Sequence, residues 1–502
     1  MAATIDKAVE WWAYVSPGRT AISMSGDALS FLALNAWADR SAAALADCNV
    51  GPGDRVAIFG GNSLAWCAAA VAIIKTGAML VPLNYRYTQS ELESVVGDCT
   101  PKLIIADAER ADRLAGIEAG GVRILPMQGV VALREGTQAP FRRELDPGAP
   151  VAIAYTSGST ANPKGVVFTH AARLAYAFEA ALSDPTYRAG AKALAVAPLF
   201  TGGGTVLLIE FLTLGITMFL EPEFNAERAL QLLLDEKIEI FFAVPTFFER
   251  IASVPAFGSA DLSHLALSAT GGARVSRELL ETWLERGVVL RQLYGLTEGG
   301  GTTTIMDAKG AISHPDKCGR GGPFTEHRIV DGEGRPCPPG EPGEILIRSP
   351  GAMAGYWNNP KATQEAFVDG WLRSGDIGVI DEAGDLTIVD RLKDIIISGG
   401  LNISPIDIEA VIAQLDGVEE VAVIAAPDPR FGETPLAIVH ATQAISIPDI
   451  VAHCNLHLAD YKVPRYIAIE AEPLPRLATG KISKRALKEK YENAVLTMNR
   501  VR

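Results

Sequence analysis

The sequence predicts an α/β protein: a doubly wound, mostly parallel sheet in a large N-terminal part, then short antiparallel strands, then a compact αβ unit. Three observations carry that reading. Short apolar runs alternate with helical stretches from residue 54 to about residue 270, the pattern of parallel strands joined by crossover helices. Past about residue 318 the runs shorten and Pro/Gly turns separate them, as in antiparallel structure. At 502 residues the chain also exceeds what one core supports, so two or more domains are expected.

Residues 1–50 read as helix, strand and helix, with Trp11, Trp12, Tyr14 and Trp37 as core anchors. The runs RVAIFG, AMLVPLN and KLIIAD read as strands, with helices over 64–75 and from Gln89 between them. VAIAY, a polar loop over 155–165 and Val166-Val167-Phe168 read as strand, loop, strand. ALAVAPLF, ITMFLE, EIFFAVP and LALSATGGA are further strands, and 203–214, 226–235 and 247–253 are helices. Each strand in this half ends in a small or turn-forming residue, where open α/β sheets place their ligands. Segments such as EHRIVDGEGRPCPPGEPGEILIRS and GVIDEAGDLTIVDR follow as short strands. The last unit reads as DIIISGG, a helix after Pro405, VEEVAVIAAPD, PLAIVHAT, a helix from Pro448, and YIAIEAEPL. The tail RALKEKYENA reads as a solvated surface helix. The expected domains are residues 1–391 and 392–502, with no internal repeat.

A net charge of −14 argues against nucleic acid as a partner. The six cysteines (48, 67, 99, 318, 337 and 454) show no CxxC spacing, which fits reduced thiols in the cytoplasm. The first residues, MAATIDKAVEWW, lack the basic and apolar regions of a signal peptide. The apolar stretch over 65–81 is interrupted by Lys75 and Gly77 and is too short for a transmembrane segment. A soluble cytoplasmic protein is expected.

The chemistry concentrates in the loop YTSGSTANPKG, residues 155–165. Short hydroxyls, backbone amides and a lysine can approach a polyphosphate closely. The loop is not the common nucleoside-triphosphatase motif: five residues separate Gly158 from Lys164, and glycine follows the lysine. Taken alone, it reads equally as a solvated turn. Five further stretches accompany it: TGGA at 270–273, YGLTE at 294–298, RSGD at 373–376, DRLKDIIISGG at 390–400, and TGKISKR around Lys481. Each is weak by itself, but their order and spacing are specific.

Together these motifs resemble those of the ANL adenylating enzymes: acyl-CoA synthetases, peptide-synthetase adenylation domains and beetle luciferases. The resemblance runs from about residue 10 to 490. It implies a large N-terminal domain of two doubly wound α/β sheets plus a β subdomain, and a small mobile α+β C-terminal domain that rotates between half-reactions. The first half-reaction joins a carboxylate to the α-phosphate of ATP and releases pyrophosphate. The second passes the acyl group to a thiol.

By that resemblance Thr156, Ser157, Gly158, Ser159, Thr160 and Lys164 would hold the β- and γ-phosphates. Tyr294 and Gly295 would lie at the adenine with Gly272 and Ala273. Thr297 would contact the α-phosphate, Glu298 would hold Mg²⁺, and Asp376 would accept the ribose hydroxyls with Arg391 nearby. Lys393 occupies the hinge position and Lys481 that of the adenylation lysine. Gly399 and Gly400 would line the pantetheine tunnel, with Phe431, Tyr461 and Lys462 at the nucleotide end of CoA. Phe200, Thr201, glycines 202–204, Phe247, Gly271 and residues 299–303, Gly299 and Gly300 among them, are the acyl-pocket candidates. That set is apolar and glycine-rich, with no arginine evidently placed for a second carboxylate. The acid expected is therefore an apolar aryl or medium- to long-chain aliphatic monocarboxylate.

The residue types suit the chemistry. A carboxylate nucleophile is already ionised at pH 7, so no general base is required. The obstacle is repulsion between two anions, and Lys164, Lys481 and Mg²⁺ would supply the counter-charge. Three positions depart from the family pattern: Ala161 for a loop glycine, Thr201 for histidine, and Asp407 for glutamate. The expected partners are the acid, ATP and CoA, with homodimer assembly left open. A carrier-protein thiol as acceptor, a luciferase-like oxygenase, and a non-catalytic binding relative are the alternatives. The last would predict loss of Lys481, Glu298 or Asp376, and all three are present.

Overall fold

The computed structural model describes residues 3–137, 139–156, 163–273, 275–392, 394–398, 401–428, 431–477, 481–492 and 498–501. The chain forms two compact units. One comprises Met1–His327, Leu346–Ser374 and Gly384–Leu386; the other comprises Arg328–Ile345, Gly375–Ala383 and Thr387–Arg502.

The first unit carries an eight-stranded sheet. Its strand order is Gly301–Ile305, Leu290–Leu296, Leu267–Gly271, Ile240–Ala243, Lys192–Ala195, Thr217–Leu220, Thr20–Met24 and Asp27–Ser30. All neighbours are parallel except the outermost pair at each end. Ile240 pairs with Ala193 on one side and Leu267 on the other, and Ser268 pairs with Leu290. Four adjacent strands therefore finish at one edge. Behind them Phe241, Phe248, Phe257 and Trp283 fill a core in which Phe248 meets Trp283 edge-on at 5.0 Å.

A seven-stranded sheet in the same unit runs Gly355–Tyr356, Lys164–Thr169, Pro150–Thr156, Met79–Pro82, Arg55–Phe59, Leu103–Ala106 and Arg123–Pro126. The hairpin between Pro150–Thr156 and Lys164–Thr169 is antiparallel, and Gly355–Tyr356 adds to its outer edge. The expected two α/β sheets are both present. Short strands between residues 326 and 391 make a separate five-stranded sheet.

Helix Leu64–Thr76 is buried along its whole length, as a helix apolar on every side should be. Ser63 caps its start and Gly77, at φ 78°, ends it. Lys75 is the exception in composition: it is 2% exposed and lies 2.9 Å from Asp39 and 3.1 Å from Glu10. No helix among the described residues is long and apolar enough to cross a membrane. All six cysteines are free thiols.

In the second unit, Val418–Asp428 and Gly432–Ala441 form a long antiparallel hairpin, with Tyr466–Glu470 parallel to its second strand. Helices Pro405–Ile412 and Ile447–His457 contribute Ile408, Ile412 and Ile450 to a core with Val423 and Val439.

Three local expectations need correction. Trp11 and Tyr14 are exposed, because helix Ile5–Val15 buries the stripe Ile5, Val9, Ala13 and turns those rings outward. The strand in ALAVAPLF stops at Ala195. Helix Lys484–Lys490 is not merely solvated: Leu487 packs with Ile424 and Leu436, while Lys484 and Lys488 reach Glu409 at 2.8 Å and Asp394 at 3.1 Å.

Removing a buried cation strands its partners. Lys75→Met is expected to cost about 3 kcal/mol in urea denaturation, because the buried Asp39 would lose its counter-ion, whereas Glu10 would still pair with Lys7 and Arg142. A change below about 1 kcal/mol would mean that Asp39 is solvated or protonated in the native state.

Candidate active site

The parallel strands deliver their C-terminal ends to one edge of the eight-stranded sheet, and several candidate residues lie there. Phe200 follows Lys192–Ala195 and meets Tyr85 edge-on at 4.7 Å. Thr201 caps helix Gly202–Leu214: its hydroxyl accepts from Gly204 N at 3.0 Å and donates to Pro198 O at 2.7 Å. Capping thus engages the Thr201 hydroxyl. Phe247, on helix Pro245–Ala252, packs at 4.4 Å on Phe224.

Gly271 ends its strand opposite Leu293, and a Cβ there would stand 2.3 Å from Leu293 O. Tyr294 is buried on the next strand, and its carbonyl accepts from Thr303 Oγ1 at 3.3 Å. Residues Thr297 to Gly300 form a tight turn in which Gly300 N donates to Thr297 O at 3.0 Å. Gly300 has φ 100°, outside the range of ordinary side-chain-bearing residues. Thr297 lies against the start of helix Gly202–Leu214, where a Cβ on Gly202 would be 3.1 Å from its Oγ1. A Cβ on Gly203 would meet nothing within 4 Å. Phe200, Thr201, Gly202 and Thr297 therefore share one neighbourhood, open at Gly203.

The polar hairpin reaches the same turn through Tyr356. Thr156 pairs with Lys164 across the hairpin, and Tyr356 pairs with Val166 beside it. The Tyr356 hydroxyl donates to Glu298 Oε1 at 3.0 Å, and Lys164 Nζ stands 4.9 Å from the Tyr356 ring centroid. Burial, reinforced by the Glu298 charge, pushes the phenol well above its ordinary pKa, so it remains a donor. Ser157, Gly158, Ser159, Thr160 and Ala161 lie outside the described residues.

Among the described residues no group of three or more His, Cys, Asp or Glu gathers to hold a metal. Glu298 alone suits Mg²⁺, which binds through one or two carboxylates while keeping waters and substrate phosphates. His327 is half-buried, and desolvation draws its pKa down to about 4. It is therefore neutral at pH 7, with Nε2 3.1 Å from Thr303 Oγ1.

Gly272 and Ala273 follow strand Leu267–Gly271 and Gly295 lies on strand Leu290–Leu296, while other candidates belong to the second unit. Asp376 is buried on strand Trp371–Ile380, and Arg391 ends strand Leu386–Arg391. The Lys481 carbonyl accepts from Leu477 N at 2.7 Å. Arg465 lies over the Phe431 ring at 4.2 Å. Tyr461 and Lys462 share a short turn, and Lys462 pairs with Asp407 at 2.6 Å. Asp407 thus has a direct ionic partner. Lys393, Gly399 and Gly400 lie outside the described residues.

Sequence reasoning missed Tyr356, which joins Lys164 to Glu298, and two residues behind the turn, Arg173 and Tyr176. Arg173 donates to Gly300 O, and Tyr176 accepts from Thr302 N. A lone arginine in the apolar run of helix His170–Ser183 was the available signal.

Residues 9–357 match the family model for AMP-binding enzymes, and residues 407–481 match the model for the AMP-binding enzyme C-terminal domain. The chain is 35% identical over 482 residues to a feruloyl-CoA synthase of an Amycolatopsis species, covering 95% of this chain and 97% of that one. It is 36% identical over 492 residues to the long-chain-fatty-acid–CoA ligase FadD13 of Mycobacterium tuberculosis, covering 96% of each. The solved structure of a Mycobacterium tuberculosis fatty acyl CoA synthetase superposes with a TM-score of 0.80 at 34% identity, covering 98% of this chain and 99% of that one.

Gly271→Ala would force its Cβ into the Leu293 carbonyl. It is expected to lower unfolding free energy by about 1–3 kcal/mol, measured in urea. An unchanged midpoint would show that the strands separate there freely.

Proposed function

We infer the roles of these residues from one premise: the chain belongs to the AMP-binding enzyme family, and it is an ATP-dependent acid–CoA ligase that works through an acyl-adenylate. The observation that carries the proposal further is the junction of Lys164, Tyr356 and Glu298, set beside the open neighbourhood at Thr201, Gly203 and Thr297. It supports phosphates on one side of Thr297 and an acid on the other.

In this reading Thr156, Ser157, Gly158, Ser159, Thr160 and Lys164 bind the β- and γ-phosphates through hydroxyls, amides and one cation. Tyr294 lies along the adenine with Gly272, Ala273 and Gly295, and Asp376 accepts the ribose hydroxyls near Arg391. Glu298 holds Mg²⁺, which when bound neutralises phosphate charge. The acid carboxylate, ionised without a base, attacks the α-phosphorus; an acyl O–P bond forms, and the bond to pyrophosphate breaks. Thr297 orients the α-phosphate, and Lys481 stabilises the charge that builds there. Residues 392–502 then move about Lys393 as a domain. CoA enters along Gly399 and Gly400, with Phe431, Tyr461 and Lys462 at its nucleotide end. Its thiolate attacks the acyl carbon and AMP leaves.

The acid we propose is an apolar monocarboxylate, aryl or medium- to long-chain aliphatic. Phe200 and Phe247 supply apolar walls, and the space at Gly203 accommodates bulk. The guanidinium nearest the turn, Arg173, is already engaged by two backbone carbonyls and is not free for a second carboxylate. Six free thiols suit the cytoplasm.

A panel of carboxylic acids, assayed for pyrophosphate release with and without CoA, tests the substrate class. Aryl or longer aliphatic monocarboxylates should lead, and preference for dicarboxylates or amino acids would overturn it. Lys481→Ala should lower adenylate formation by about 10²–10³-fold. It should still convert synthetic acyl-AMP and CoA to thioester. Equal loss of both half-reactions would contradict the role given to Lys481.

A further inference from the structure

Behind the turn at 297–300 lies a buried cation that the reading above does not use. Arg173, on helix His170–Ser183, is 1% exposed. Its Nη1 donates to Gly300 O at 2.6 Å and its Nη2 to Gly351 O at 2.5 Å. The guanidinium lies 4.3 Å from the Phe168 ring centroid and 4.9 Å from that of Tyr176. One helical turn on, the Tyr176 hydroxyl accepts from Thr302 N at 3.1 Å. Met353 N, two residues beyond Gly351, donates to Glu298 O at 2.9 Å. The segment from Glu298 to Thr302 is thus fastened from behind at three points.

The glycines of that segment fit the fastening closely. A Cβ on Gly300 would stand 2.2 Å from Gly351 O, and one on Gly301 would stand 2.9 Å from the Tyr176 hydroxyl. The carboxyl group in this pocket is Glu210, 2% exposed on helix Gly202–Leu214, with neither oxygen in full hydrogen-bond geometry. Burial pushes Glu210 up to about 8, while Arg173 and the Tyr187 hydroxyl pull the other way. Burial likewise draws Arg173 down to about 10, still charged at neutral pH. Burying an arginine is costly, and a methionine of similar length would fill the space with no charge to desolvate. What an apolar residue cannot do is bridge two carbonyls on separate loops with one planar fork.

We propose that Arg173 and Tyr176 are positioning residues for the acid: by holding residues 299–302 against Gly351 from behind, they set the shape of the acyl pocket. This rests on the reading that Gly299 and Gly300 line that pocket. Lysine at 173 would keep the charge but could not serve both carbonyls with the same geometry. Phenylalanine at 176 would keep the ring and remove only the acceptor for Thr302 N.

The test is steady-state thioester formation by the full chain and by Arg173→Lys, Tyr176→Phe and Phe247→Ala, with thermal unfolding alongside. Losing one buried hydrogen bond of this kind should raise KM for the acid by about tenfold in each of the first two variants. KM for ATP should stay within about twofold, and discrimination among acids should flatten. If Arg173→Lys does not fold, Tyr176→Phe supplies the same readout. A merely structural role would lower the melting temperature and leave the acid-to-ATP KM ratio unchanged, which overturns the proposal. If Phe247→Ala alters acid selectivity and the other two do not, the proposal fails while the pocket reading survives. If none of the three alters it, the pocket reading itself fails.

Discussion

Four neighbouring strands, Lys192–Ala195, Ile240–Ala243, Leu267–Gly271 and Leu290–Leu296, run in one direction. Every crossover must therefore carry the chain back to the opposite edge, and every strand must release its chain at the same edge. Phe200 and Thr201, Phe247, Gly271, and Thr297 with Glu298 arrive there from distant parts of the sequence for that reason alone. The edge closes further because backbone meets backbone at Gly271 and Leu293, with no room for a side chain. Shape at this site is thus a property of strand pairing before it is a property of any side chain.

Charge has to be solved on that scaffold locally. A chain of net charge −14 must bring a carboxylate to a polyphosphate. The described structure places Lys164 over a tyrosine ring whose hydroxyl serves Glu298. Tyr356 therefore touches both a cation and an anion, and in the proposed reading the lysine charge serves phosphate. Arg173 works differently. Its charge is spent on two backbone carbonyls and contributes geometry.

Period and composition made the larger architecture readable. Alternating strands and helices foretold the parallel sheets, and the strand, polar loop and strand read around 155–165 are present as Pro150–Thr156 and Lys164–Thr169, which pair antiparallel. Candidate residues could be proposed from sequence where they are contiguous, as in YGLTE. It was opaque where partners meet only through tertiary packing: nothing near Glu298 in sequence points to Tyr356, and nothing near Gly300 points to Arg173. Aromatic residues misled for a related reason. Trp11 and Tyr14 have the side chains of core residues, but the stripe that packs is set by Ile5, Val9 and Ala13. Leu487 carried too little weight within a charged tail, yet it is fully buried.

In the proposed reaction the acid is activated as an adenylate before any thiol takes part. Acid-dependent exchange of labelled pyrophosphate into ATP, measured with no CoA present, tests it most directly. The account predicts exchange that requires the acid, proceeds without CoA, and is lost in Glu298→Gln. Exchange that needs CoA, or that proceeds without the acid, would contradict it.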